Sequence, residues 1–357
     1  MRGRTMLALQ FDGKASRLGL RTLSVPEPRG REVLVRVAFS GVCGTDLHVL
    51  KGEFPCRQSG AVTLGHEFSG VVHAVGAQVT TVREGDEVAV NPDSGCDRCS
   101  YCRSGKYNYC DNGGSNNAIG LFRHGGWAEY CLVPEPQVHP LPRGMSLEQA
   151  SLMEPLSCLC HGLDLVGPMP VGSAILIQGA GIIGNLWACA LHHQGHRKVI
   201  ISKPSEARRK ALRKLDTGCE IVSPGELRQK GRDPGWGVDF VIDCSGHAPA
   251  IEKAVSLLSC GGTLCIFGVA PPDARISVSP NLLYKKEIRI IAVNNNPYSS
   301  EKALGLIGAM GERYLDYDKL GVHTYKLCQY AAAIEDLRNG TITKAMFVIE
   351  QPDLIER

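Results

Sequence analysis

Four cysteines, Cys96, Cys99, Cys102 and Cys110, crowd into one short stretch with the spacing C-x2-C-x2-C-x7-C. Two residues between neighbouring thiolates let the side chains turn toward one point, and four thiolates make a closed tetrahedral shell for Zn²⁺. Asp97, Arg98, Ser100, Tyr101, Arg103, Ser104 and Gly105 around them are polar and turn-rich, so the segment reads as a loop that a metal must organise. Two disulfides, or chance in a cysteine-rich chain, are the competing readings. Two consecutive x2 spacings favour the metal. A closed shell leaves no open position, which makes this site structural and sends the search for chemistry elsewhere.

The chain has 357 residues, enough for two domains, and its 43% hydrophobic and 21% charged content fits a globular protein. A net charge of +3 is too mild to argue for nucleic acid or a membrane surface. No run of about 18 apolar residues suggests a membrane span. Cysteines outside the cluster, such as Cys189, Cys244, Cys260 and Cys265, sit singly in apolar surroundings and read as small buried hydrophobes. Free thiols and no recognisable leader favour a reducing, cytoplasmic setting.

The first 150 or so residues read as short strands punctuated by glycine and proline, with Glu32–Phe39 alternating through Val33, Val35 and Val37. The rhythm changes near Val171. Ala174–Gln178, Lys198–Ile201, Val238–Asp243, Thr263–Phe267 and Ile288–Val293 read as strands, and Ile182–His193, Ser205–Leu215 and Ala250–Leu258 as helices among them. That is the pattern of a doubly wound parallel sheet. The expected organisation is α/β: a β-rich domain over 1–160, rejoined by 298–357, and a dinucleotide-binding domain over 161–297.

The strand Ala174–Gln178 runs directly into Gly179-Ala-Gly-Ile-Ile-Gly184, a G-x-G-x-x-G between strand and helix. Gly179 permits the tight turn, Gly181 the approach of a pyrophosphate, and Gly184 close helix–strand packing. Ile182 and Ile183 open the helix whose free N–H groups and dipole favour the anion. The plain alternative is a sharp turn with no ligand. The next strand ends at Ser202-Lys203, where an NAD-binding chain usually carries an acid. Lys203, with Ser202 and Arg208 close by, suits a 2′-phosphate, so NADP is favoured over NAD. Otherwise these cations are a solvated helix face.

Cys43, His66 and Glu67 come from two loops and can act as Zn²⁺ ligands, with Glu154 completing or exchanging within the shell. Taken alone, Cys43 reads as a core thiol, His66 as a satisfied loop histidine and Glu154 as a carboxylate at a helix N-terminus.

In order along the chain, Cys-Gly-Thr-Asp (43–46), Gly-His-Glu (65–67), the cysteine lobe (96–110), Gly-Gly-Trp-Ala-Glu-Tyr (125–130), Glu-Pro-Leu-Ser (154–157) and the glycine motif resemble the zinc-dependent medium-chain alcohol dehydrogenases over nearly the whole length. The resemblance implies a GroES-like β-rich catalytic domain and a Rossmann domain. It implies a catalytic zinc on Cys43, His66, Glu67 and Glu154, and a second, structural zinc on the four cysteines. Thr45 and His48 match a hydroxyl–imidazole proton relay, and Asp46 a carboxylate that orients the ligating histidine. Glu67 after His66, Glu154 in its motif and Asn296-Pro297-Tyr298 lean toward the polyol branch (sorbitol-, arabitol- or butanediol-like), with Phe122, Arg123 and Trp127 as candidate pocket walls. The implied reaction is reversible hydride transfer between a polyol or secondary alcohol and a nicotinamide cofactor, in a homodimer or homotetramer. Animal sorbitol dehydrogenases often lack the cysteine lobe and use NAD, and both points mark departures here. L-threonine 3-dehydrogenase is the nearest rival. A non-enzymatic, crystallin-like descendant is the rival of another class, and retention of the ligand set argues against it.

Overall fold

The computed structural model describes residues 4–57 and 59–350. The chain divides into two compact units. One comprises the chain through Ser157, Asn295–Ala309 and the chain from His323; the other comprises Cys158–Asn294 and Met310–Val322.

The first unit is built around the strand Glu32–Gly41. Its alternating valines bury one face: Val33, Val35 and Val37 are all inside. It pairs antiparallel with Phe68–Val75, Tyr130–Pro134 and Lys344–Val348, within a seven-stranded sheet that also holds Glu87–Val90, Val138–Pro140 and Val322–Lys326. A three-stranded sheet of Thr5–Asp12, Arg17–Ser24 and Val62–Thr63 completes the unit. Leu9, Phe68, Trp127 and Phe347 fill the core between them.

The register of this sheet brings two loops together. Ser40 stands opposite Phe68, and Gly41 N–H donates to Glu67 O at 2.7 Å. Cys43 leaves the end of one strand while His66 and Glu67 enter the start of its neighbour. Met346 pairs with Gly41 from the other side, which delivers the C-terminal strand to the same place.

The second unit holds a six-stranded parallel sheet. Its strands, in chain order, are Ile175–Gln178, Val199–Ser202, Glu220–Val222, Val238–Asp243, Leu258–Ile266 and Arg289–Ala292. Numbered in that order they lie 3-2-1-4-5-6, the arrangement of a Rossmann fold. The helix Ile182–His193 follows the first strand and is buried along most of its length.

The structure departs from the sequence reading in its unit boundaries, at 157/158 and 294/295 instead of 160/161 and 297/298, and in the elements it adds. Residues 310–322 belong with the second unit rather than with a continuous 298–357 segment. The reason is specific pairing: Asn185 Nδ2 donates to Leu320 O at 3.0 Å, His192 Nδ1 meets Tyr314 OH at 2.8 Å, and Lys214 pairs with Asp318 at 3.0 Å. The strand Glu220–Val222 and helix Pro224–Lys230 were not anticipated. Three residues carry too little alternation to announce a strand.

Glu135 anchors the far end of the central strands. Its carboxylate accepts from Thr80 N–H (2.6 Å), Thr81 N–H (2.9 Å) and Arg31 Nε (2.8 Å). The Thr80 N–H bond, with the others outweighing burial, lowers its pKa to about 2. A lowered carboxylate contributes stability above its unfolded pKa, and that contribution fades as pH falls toward the folded value. Glu135→Gln should therefore melt below the wild type at neutral pH, with the gap in Tm closing between about pH 4 and pH 2. A gap independent of pH would assign the loss to packing instead.

Candidate active site and metal centres

Cys43, His66 and Glu67 each offer a donor atom, and the three atoms lie within 4.8 Å of one another. Cys43 is the N-cap of the short helix Gly44–Leu50 and its N–H donates to Asp46 Oδ2 at 2.8 Å. The other oxygen of Asp46, fully buried, faces His66 Nδ1 at 3.4 Å. That orients the imidazole and leaves Nε2 for a metal. Burial acts to lower the His66 pKa, but Asp46 and then Cys43 outweigh it and raise it well above the ordinary value.

A soft sulfur, an imidazole and a carboxylate from two loops form a donor set that suits zinc, with a position left for a further ligand. Space is tight beside Gly41. A Cβ on Gly41 would come within 2.4 Å of Glu67 Oε2 and 2.7 Å of Lys344 Cε, so only glycine admits these two side chains.

Lys344 is the residue that sequence reasoning missed. Its ammonium is buried, pairs with Glu67 Oε2 and donates to Val42 O at 3.3 Å. Burial acts to raise the Glu67 carboxyl, but Lys344 and then His66 outweigh it and hold the carboxyl below its ordinary value. The reciprocal holds for Lys344: burial would lower it, yet Glu67 and Cys43 keep it raised. A lysine 277 residues from its partner leaves no local pattern. The only sequence clue is a charge at the start of an otherwise apolar strand.

Glu154 lies in the first turn of the helix Met153–Val166. It is outside the three-donor cluster but near enough to raise the Lys344 pKa. Thr45 Oγ1 is 3.7 Å from Cys43 Sγ. His48, one turn further along the same helix, meets Glu53 Oε2 through Nδ1 at 2.6 Å. Two of the suggested pocket walls have other work. Trp127 is fully buried with Nε1 donating to Gly41 O at 3.0 Å, and Arg123 donates to Asn117 O and Gln137 Oε1.

The second cluster, Cys96, Cys99, Cys102 and Cys110, also gathers its sulfurs within 4.8 Å. All are free thiols, which removes the two-disulfide alternative. Cys99 caps the one-turn helix Ser100–Arg103, its Sγ accepting from Cys102 N–H at 3.4 Å. The N–H groups of Arg98 and Cys99 lower Cys96 to about 6, while burial pushes Cys102 up to about 12. Four sulfurs facing one point suit a dication that holds them all as thiolates.

In the second unit, Gly179 has φ +110°, and a Cβ on Gly184 would lie 2.1 Å from Gly179 O. A Cβ on Gly181 would meet nothing within 4 Å, so the space over the start of the helix Ile182–His193 is open. Ile182 and Ile183 form its first turn, where backbone N–H groups suit a diphosphate. Ser202 ends the adjacent strand and Lys203 follows it, half-buried. Burial, and then Arg208, lower the Lys203 pKa; burial also lowers that of Arg208. Arg209 is committed to the turn, donating to Lys203 O and Pro204 O at 2.8 and 2.6 Å.

Removing Lys344 leaves a buried carboxylate without its counter-charge. Lys344→Ala should cost about 3–5 kcal/mol in denaturant unfolding. Adding Glu67→Ala should recover part of that loss. Strictly additive losses would show that the two side chains are not coupled.

Residues 29–143 match the alcohol dehydrogenase GroES-like domain family, and residues 183–307 the zinc-binding dehydrogenase family. D-arabinitol dehydrogenase 1 of Uromyces fabae is 30% identical over 95% of this chain and 96% of its own length. D-altritol 5-dehydrogenase of Agrobacterium fabrum is 33% identical over 86% of this chain and 89% of its own. A zinc-binding dehydrogenase from Sinorhizobium meliloti 1021, solved with NADP bound, superposes with a TM-score of 0.87 at 31% identity, covering 97% of this chain and 99% of that one. The strand order, the donor clusters, the glycine turn and these relatives together make the chain a member of the zinc-dependent medium-chain alcohol dehydrogenase family.

Proposed function

We propose that the protein oxidises a polyol or related secondary alcohol to the ketone, reversibly, with NADP as hydride acceptor. The observation that carries this reading is the convergence of Cys43, His66 and Glu67 beside the Thr45 hydroxyl. The polyol class is supported by the D-arabinitol and D-altritol enzymes among its relatives. The preference for NADP is supported by two half-buried cations, Lys203 and Arg208, close enough for Arg208 to act on Lys203, where an acid is usual in NAD-binding chains. The NADP-bound relative points the same way.

In this reading Cys43, His66 and Glu67 hold the catalytic zinc, with Glu154 able to exchange into the shell, and the four cysteines hold a second, structural zinc. Bound zinc lowers the pKa of the substrate hydroxyl as a Lewis acid. Thr45 accepts the hydroxyl proton and passes it to His48, which stands 30% exposed and returns it to water. A nicotinamide cofactor held at the glycine turn Gly179–Gly184 would supply the hydride chemistry. Asp46 fixes the His66 ring, and Lys344 balances the Glu67 charge.

Among the described residues no helix is long and apolar enough to cross a membrane. A cytoplasmic homodimer or homotetramer fits this reading. The sheet-edge strand Arg289–Ala292 leaves Ile290 39% exposed, which suits pairing with a second copy.

The purified protein should contain two zinc ions per chain and oxidise arabitol-class polyols. Cys43→Ala should lose turnover while keeping its fold by circular dichroism. Full activity in that variant would exclude the metal-based mechanism. The ratio of kcat/KM for NADP over NAD should exceed one. The double change Lys203→Ala, Arg208→Ala should lower it by about 10–100-fold, the loss of a charged hydrogen bond or two. A wild-type preference for NAD would remove the phosphate assignment.

A further inference from the structure

The short helix that carries Thr45 does not end at the histidine. It is followed by a turn that brings a carboxylate back onto the ring. Lys51 closes the helix, Gly52 adopts φ +76°, and Glu53 N–H donates to His48 O at 2.9 Å. The Glu53 side chain then meets His48 Nδ1 at 2.6 Å. Backbone and side chain of one residue thus grip the histidine twice.

We infer that Glu53 is a positioning residue for proton release. It holds His48 as the tautomer protonated on Nδ1, which leaves Nε2 as the acceptor for the proton arriving by way of Thr45. The inference rests on the reading that this chain is an alcohol dehydrogenase with Thr45 and His48 in the relay.

Three observations support the assignment. Cys43 Sγ and Thr45 Oγ1 are 3.7 Å apart, so the hydroxyl stands next to the donor cluster. Thr45 and His48 are three residues apart on one helix and share a face. The path opens to water: Cys43 and Thr45 are partly exposed, the His48 side chain is 30% exposed and that of Glu53 45%. A proton therefore moves from an interior cluster to water within eleven residues of continuous chain.

The step balances without another reactant. The substrate O–H bond breaks and its proton goes to Thr45 Oγ1 as the threonine proton moves to His48 Nε2. The resulting imidazolium keeps its Nδ1–H on Glu53 and returns the Nε2 proton to water, which restores the starting tautomer. An exposed ion pair contributes little to stability, so an effect of Glu53 belongs in the kinetics and not in the melting temperature.

The test compares Glu53→Ala and Glu53→Gln with wild type on an arabitol-class polyol. Glu53→Ala should lower kcat about tenfold, less than the roughly 100-fold or more that a positioned acid–base group itself supplies, because Glu53 acts through His48. KM, zinc content and Tm should change little. The solvent deuterium isotope effect on kcat should rise, and the effect of deuterium on the reacting carbon should fall, because proton release becomes limiting. Glu53→Gln, whose amide oxygen still accepts from Nδ1–H, should retain more of kcat, and added formate should partly restore Glu53→Ala. Wild-type kcat and isotope effects in Glu53→Ala would overturn the assignment. So would a loss with unchanged isotope effects and no formate rescue, which a merely structural role gives. A wild-type enzyme inactive on every alcohol would instead overturn the underlying reading.

Discussion

The ion pair between Glu67 and Lys344 is the contact around which the first unit is arranged. A lone buried carboxylate costs several kcal/mol, and so does a lone buried ammonium. Here each carries the other, at a point where three strand ends meet. Gly41 leaves the space, Val42 supplies a carbonyl, and the register of Met346 with Gly41 sets the lysine in place. Cys43 and His66 then find themselves beside a charge that is already compensated.

Much of this was legible beforehand, for identifiable reasons. Short-range spacing encodes the cysteine lobe, since its donors come from one loop, and the glycine turn, since its three glycines answer to one backbone bend. The alternating valines of Glu32–Gly41 mark a half-buried strand, and the alternation of strands and helices after Val171 marks the parallel sheet. Ile182–His193 was located to the residue because a glycine cluster starts it and an apolar face runs its length.

What escaped was set by long-range or very local physics. Lys344 is meaningful only once its strand has paired with Glu32–Gly41. Glu53 acts through a turn at Gly52 that the sequence offers without saying which ring it will touch. Trp127 and Arg123 have the chemistry of pocket residues, but the fold uses one as core and the other as a brace between Asn117 and Gln137. The segment 310–322 shows the same thing at larger scale. Its partners Asn185 and Lys214 lie 135 and 104 residues back along the chain, and only those contacts reveal where it belongs.

The two donor clusters also differ in how much chain must exist before each can close. Cys96 through Cys110 fit within one loop, so no distant segment is needed to bring these sulfurs together. The set formed by Cys43, His66 and Glu67 is compensated only when Lys344, 277 residues past Glu67, has been synthesised and its strand has docked. Chain growth from the N-terminus therefore presents the whole cysteine lobe before Lys344 exists.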